Sequence, residues 1–187
     1  MAERRGTREG RFTAMFTGCY GAVLAFARRR LDPDLAQDVA AETFLTAWRR
    51  FDDLTGDPLP WLYRIAGNAI ANQRRSLARR RRLDDRARAM TAGVVVPDPA
   101  DAVSEAGRLS AAFSSLSERD REVLRLTCWE GLDAASAAIV LRCSTAAFKV
   151  RLHRARRRLA RSIEGQANRR RPGQGRVDPL PSKETLP

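Results

Sequence analysis

The stretch "LDAASAAIVLRCSTAAFKVRLHRARRRLARSI", Leu132 to Ile163, decides how this chain is read. At about 100° per residue, Phe148, Ala155, Leu159 and Ile163 fall within about 60° of Leu152. The arginine-rich run therefore has an apolar stripe and reads as an amphipathic helix docked on a core, not as a solvated tail. Away from the stripe lie Ala146, Lys149, Val150, His153, Arg154 and Arg157, a face that mixes small, hydrogen-bonding and charged side chains.

Upstream of Phe148 the order is an alanine-rich helix, a turn around Leu141-Arg142-Cys143, and Ser144 as N-cap of the next helix. That is the layout of a helix-turn-helix, in which small residues such as Ala138 let two helices cross closely and the second enters the major groove. The helix start and arginines suit phosphates, while Lys149, His153 and Arg154 are long enough to reach base edges. On this segment alone the lesser alternative is a helical hairpin with a basic outer face.

Composition sets the partner class. The 187 residues carry 35 Lys and Arg against 22 Asp and Glu, a formal net charge of +13. Such a charge selects acidic partners, nucleic acid first and anionic membrane second. Lys149 and Lys183 are the only lysines. An arginine bias of this kind also arises from codon usage in GC-rich genomes, so charge alone does not establish binding. Cys19, Cys128, Cys143 and the lone His153 show neither metal-ligand spacing nor a disulfide framework, so no metal or cofactor is expected and a reducing cytoplasm fits. The opening "MAERRGTREGRF" followed by "AMFTGCYGAVLAFA" resembles a signal peptide in outline. Glu3 and Glu9 spoil its basic region, however, and Thr17, Gly18 and Tyr20 interrupt its apolar run, so a first amphipathic helix is the better reading.

Alternating β-branched runs are missing, and the chain reads as all-α. A first helix covers residues 11–30. Asp32-Pro33-Asp34 supplies an N-cap, a proline at the first helical position and a first-turn acid, starting a second helix that reaches about Phe51. The loop "DDLTGDPLP" follows, then a third helix from Trp61 with Leu62, Ile65, Ala66, Ala69 and Ile70 as its apolar side and arginines to Arg82 at its far end. Residues 83–107 change character and read as a flexible linker. Helical signals resume at residue 108, with Ser117 as a further N-cap. The expected organisation is two small helical domains, 11–82 and 108–164, with residues 1–10 and the basic tail 165–187 disordered.

In the second helix Asp38, Glu42, Leu45 and Arg49 share one side. Spacing alone leaves open whether this is a plain solvated face or a surface for a basic or mixed partner. In the third helix Trp61, Tyr63, Arg64, Asn68, Asn72, Gln73 and Arg75 combine the rings, amides and charges that unstacked bases require. Trp61 fits a core anchor at a helix start as well as it fits a stacking platform.

Taken together, "DPDLAQDVAAETFLTAW", "PWLYRIAGNAIANQRR" and "LSERDREVLRLTCWEGLDAASAAIVLRCSTAAFKVRLHRARRRL" resemble the bacterial RNA polymerase sigma factors of the extracytoplasmic-function type. The three stretches cover about two thirds of the chain in the family's order. The resemblance implies sigma domain two over residues 11–82 and domain four over 108–164. It implies that Asp38, Glu42, Phe44, Leu45 and Trp48 bind the coiled coil of the polymerase's largest subunit, with a further contact to the flap region of the core. It also implies that Asp53, Thr55, Trp61, Arg64, Asn68, Asn72 and Arg75 capture the minus-ten element as it opens. Ser144, Thr145, Lys149, Val150, His153, Arg154 and Arg157 would then read the minus-thirty-five element.

A protein of this type catalyses nothing itself, works in the cytoplasm with polymerase on the nucleoid, and commonly has an anti-sigma partner. Some positions depart from the family pattern. Ala41 stands where glutamine is usual, Ala137 where a larger aliphatic is common, Val150 where serine is frequent, and Arg142 where the turn usually has glycine. A left-handed Arg142 costs about 1 kcal/mol, which leaves open whether the turn is reshaped or the residue carries the strain. Two other readings compete: a stand-alone helix-turn-helix regulator that binds duplex DNA unaided, and an anti-sigma or scaffold protein that uses its helices only for protein contacts.

Overall fold

Most of the helix starts are capped by side chains the sequence places for that purpose. A computed structural model describes residues 7–88 and 105–169, and all regular structure among them is helical. Helix α1 spans Arg8–Arg28, with the Thr7 hydroxyl accepting from the Gly10 amide. Helix α2 spans Pro33–Arg49, with Asp32 accepting from the Leu35 amide, and a short 3-10 turn follows at Phe51–Asp53. Helix α3 runs over Pro58–Arg88, α4 over Glu105–Ser114 and α5 over Glu118–Cys128. Helix α6 covers Ala134–Leu141 and α7 covers Thr145–Arg169.

Several boundaries differ from the expected ones for local reasons. Helix α1 starts before residue 11 because Thr7, not a later residue, supplies the cap. Helix α3 begins at Pro58 instead of Trp61, since the amides of the first turn need no intrahelical partner and prolines are tolerated there. Helix α7 continues past Gly165 to Arg169, because one glycine in a helix costs only about 1 kcal/mol and does not stop it. The residues 8–10, 83–88, 105–107 and 165–169, expected to be irregular, are thus helical. The rest of the expected N-terminus, linker and tail lies outside the described residues.

The first three helices pack around Val23, Phe26, Val39, Phe44, Leu62 and Ala66, all buried. Their spacing on α1 (Met15, Cys19, Val23, Phe26, Ala27) is that of one helix face, which confirms the amphipathic reading of this segment. In the C-terminal unit Leu116, Leu124 and Ala155 are buried together, with Phe113, Leu152 and Leu159 packed against them. Each fully buried large side chain, such as Phe26 or Phe148, contributes about 1.5–3 kcal/mol. The two units are not separate bodies. Helix α3 lies against α6. Val123, Leu126, Ala137, Ala138 and Phe148 of the C-terminal unit join the core of the first three helices in one continuous cluster.

Candidate functional site

The helix-turn-helix forms as its side chains dictate. Asp133 caps α6 by accepting from the Ser136 amide at 2.7 Å, a hydrogen bond that holds its carboxyl below the usual carboxylate range. Arg142 takes the left-handed conformation, φ 51° and ψ 49°. The amides of Arg142 and Cys143 donate back to the carbonyls of Ile139 and Ala138, at 3.3 and 3.1 Å. This is the usual left-handed helix stop. The turn is not reshaped, and Arg142 carries the strain itself. Ser144 then caps α7, its hydroxyl accepting from the Ala147 amide at 3.1 Å.

Helix α7 buries Phe148 and Ala155 and half-buries Leu152 and Leu159, while Ile163 at its far end is exposed. Ser144, Thr145, Lys149, Val150, His153, Arg154 and Arg157 are all exposed. None of the four basic side chains in that set has an ion pair among the described residues. Arg158 differs. Its guanidinium donates to both carboxylate oxygens of Asp120 at 2.8 Å, tying α7 to the start of α5. Ser117 completes that corner, its hydroxyl donating to Asp120 at 2.7 Å and accepting from the Asp120 amide. The arginines of α7 are therefore of two kinds, and their count in the sequence does not separate them.

On α2, Asp38, Glu42 and Leu45 are exposed, Leu45 to 60%. Neither carboxylate is ion-paired with a described residue. Phe44 and Trp48, which the resemblance places in the same surface, sit further in. Phe44 is buried with its ring against Phe16 and Tyr20. Trp48 is half-buried, with Phe12 at its edge and the Arg8 guanidinium 4.2 Å from its ring centre. They support the exposed face from behind.

Among the residues expected at the minus-ten element, Asp53 is ion-paired to Arg50 at 2.8 Å and Thr55 lies exposed in the loop before α3. Arg64, Asn68, Asn72 and Arg75 follow one another along one side of α3, with Arg75 hydrogen-bonded to Asn72. Trp61 belongs to the core, with only 6% of its surface exposed. Burial decides its two readings in favour of the core anchor, since a stacking ring must be open to a base. Tyr63 is buried too, stacked on Phe26 with ring centres 4.5 Å apart. Burial, and next the Glu130 carboxylate, push its hydroxyl up to about 12.

A charge cluster that no local sequence signal marks joins the two units. The Arg30 side chain, 2% exposed, donates to Glu122 at 2.9 Å and to Glu130 at 2.9 Å. It also donates to the Phe26 carbonyl at 2.7 Å and lies 3.5 Å from the Phe26 ring centre. Arg29 pairs with Glu130, whose side chain is fully buried. Arg74 of α3 bonds to Glu118 at 2.6 Å and to the Arg30 carbonyl at 3.1 Å. Partial burial alone would raise the Glu118 carboxyl, but the hydrogen bond and charge of Arg74, with those of Arg125, outweigh it and leave it below the usual glutamate range. Beside the cluster runs a groove of about 1010 Å³, with Arg64 and Asn68 on one wall and Arg142, Arg151 and Arg154 on the other.

Comparison with known proteins identifies this arrangement. Residues 15–81 match the Sigma-70 region 2 family and residues 106–159 match Sigma-70, region 4. The RNA polymerase sigma factor NccH of Alcaligenes xylosoxydans xylosoxydans is 31% identical over 157 residues, covering 78% of this chain and 83% of that protein. The ECF RNA polymerase sigma factor SigL of Mycobacterium tuberculosis is 30% identical over 150 residues, covering 78% of this chain and 85% of its own. The fold is similar to that of the sigma factor RpoE from Bartonella quintana, solved in complex with the anti-sigma factor NepR. The TM-score there is 0.61 at 26% identity, with 82% of this chain and 96% of that one covered. The chain belongs to the extracytoplasmic-function RNA polymerase sigma factors, proteins that are not enzymes and that direct RNA polymerase to promoters.

Proposed function

We propose that this sigma factor holds core polymerase through the Asp38, Glu42 and Leu45 face of α2 and promoter DNA through α3 and α7. The observation that supports it best is the α2 face itself. Two unpaired carboxylates beside a leucine 60% exposed stand on a chain of net charge +13. An acidic and apolar surface of that kind suits a basic, partly apolar helical partner, as the coiled coil of the largest subunit would be. Phe44 and Trp48 set its shape from behind, and the flap region of the core contacts the C-terminal domain.

On DNA, Thr55 and Asp53 of the loop, with Arg64, Asn68, Asn72 and Arg75 of α3, capture bases of the opened minus-ten element. Unstacking a base costs a few kcal/mol, which pocket and backbone contacts must offset. Helix α7 reads the minus-thirty-five element, with Lys149, Val150, His153 and Arg154 toward base edges and Ser144, Thr145 and Arg157 toward phosphate. An anti-sigma factor, the kind of partner seen with relatives, restrains the protein in the cytoplasm until its signal arrives. Among the described residues no helix is long and apolar enough to cross a membrane.

The test is core-dependent transcription on genomic DNA with mapped start sites. Purified chain plus core polymerase starts at specific promoters, and Asp38→Arg with Glu42→Arg abolishes co-purification with core while the helical circular dichroism stays unchanged. Specific duplex binding by the chain alone, with no effect of core, would favour a stand-alone regulator instead.

A further inference from the structure

Nothing within the fold offsets the strain at Arg142. Its φ of 51° and ψ of 49° press Cβ toward the following carbonyl oxygen, a cost that glycine escapes and asparagine reduces. Only its backbone is engaged, the amide donating to the Ile139 carbonyl. The side chain is exposed and has neither a hydrogen bond nor an ion pair among the described residues. A side chain kept in a sparsely populated conformation, with no pairing of its own, directs attention outward to a ligand.

Place and charge define that ligand as an anion on DNA. Arg142 stands two and three residues before Ser144 and Thr145, the side chains read as facing phosphate at the start of α7. In a helix-turn-helix the first helix crosses the sugar-phosphate backbone and the second enters the major groove, which sets the turn between them beside a phosphate strand. Arg142 also lines one groove with Arg151 and Arg154, and those two likewise lack a carboxylate partner among the described residues. The carboxylates of that groove do not cancel this charge. Glu118, Asp120 and Glu122 are already held by Arg74, Arg158 and Arg30.

We propose that Arg142 is a DNA-backbone contact, one that glycine, usual at this turn in the family, has no side chain to make. Its guanidinium holds a phosphate at the edge of the minus-thirty-five duplex, and that contact offsets the left-handed strain. A planar fork of donors suits a phosphate, and the contact positions α7 on the duplex without reading sequence. It presupposes that α7 is the minus-thirty-five helix, and the experiment separates the two claims.

Holoenzyme, the full chain with core polymerase, is titrated with a labelled duplex carrying a mapped promoter and with a scrambled duplex, over about 0.1–0.4 M salt. One phosphate contact adds about 0.9 to the slope of log affinity against log salt. Arg142→Gly and Arg142→Asn therefore each lower the slope by about 0.9 and weaken binding roughly fivefold at about 0.15 M salt. The loss is equal on both duplexes, so the preference for the promoter is kept. Arg142→Lys, a point charge that still meets a phosphate, keeps most of the slope. The thermal midpoint of the free chain moves the opposite way, rising in Arg142→Gly, so the weaker binding cannot come from unfolding. An Arg142→Gly holoenzyme with the wild-type slope and affinity overturns the contact and leaves the arginine a tolerated replacement of glycine. So does an Arg142→Lys holoenzyme as weak as Arg142→Gly, or a loss confined to the promoter duplex, which would make Arg142 a reader of bases. If Arg154→Ala and Lys149→Ala leave the preference for the promoter unchanged while Arg142→Gly still lowers the slope, the phosphate contact stands and the reading of α7 as the minus-thirty-five helix falls.

Discussion

Arg142 shows what one residue can be asked to tolerate. Its φ of 51° is the only positive value outside glycine among the described residues. The helix stop needs that conformation, and the backbone hydrogen bonds to Ala138 and Ile139 hold it there. Arg142→Gly should therefore stabilise the protein by about 1 kcal/mol, raising the thermal midpoint by several degrees in a calorimetric scan. The departure from glycine was visible in the sequence, but whether the turn or the residue would yield was not. Trp61 is a similar case. A tryptophan at a helix start suits stacking and packing alike, and only its burial distinguishes them. Trp61→Ala should lose about 3–5 kcal/mol of stability, read from urea unfolding, with promoter opening weakened only through loss of folded protein.

At the scale of the element, α7 carries two tasks on two faces. Its apolar stripe was legible from spacing, and so was its cap at Ser144. The division of its arginines was not, because the carboxylate that claims Arg158 is Asp120, 38 residues away. Arg154→Ala should lower promoter use by about 1–3 kcal/mol if the side chain reads a base, measured by promoter titration with holoenzyme, and leave the thermal midpoint unchanged. Arg158→Ala should do the reverse. It removes the partner of a carboxylate whose side chain is only 11% exposed, so the midpoint falls while sequence preference is kept. If Arg154→Ala only reduces the salt dependence equally on all sequences, that side chain holds phosphate.

The whole molecule strengthens a dependence on pH that the C-terminal domain has only in part, since Arg125 of α5 and Arg74 of α3 both hold Glu118. Glu118 titrates below its ordinary value of 4.5 while it is held by Arg74 and Arg125. A carboxyl depressed in the folded state contributes stability that is fully present above its unfolded value and lost as pH falls through the folded one. The thermal midpoint of wild type should therefore drop more steeply below about pH 5 than that of Glu118→Gln, in parallel scans at one ionic strength. Equal slopes would mean that neither Arg74 nor Arg125 holds Glu118 in solution.

Local pattern alone determined that this chain is helical, where its caps at Asp32, Ser117 and Ser144 lie, and that its second unit holds a helix-turn-helix, while resemblance of whole motifs supplied the sigma-factor family. Helical periodicity, proline and N-cap chemistry act over a few residues, so they can be read directly. Element lengths were less legible at α3 and α7, where helix runs on through residues whose composition suggests a boundary. Only the tertiary structure decided that Trp61 and Phe44 are buried, that Asp120 claims Arg158, and that Arg30 is shared by Glu122 and Glu130. Those partners lie 92 and 100 residues along the chain from Arg30. A charge has no direction in sequence, and which opposite charge it meets depends on how the helices pack.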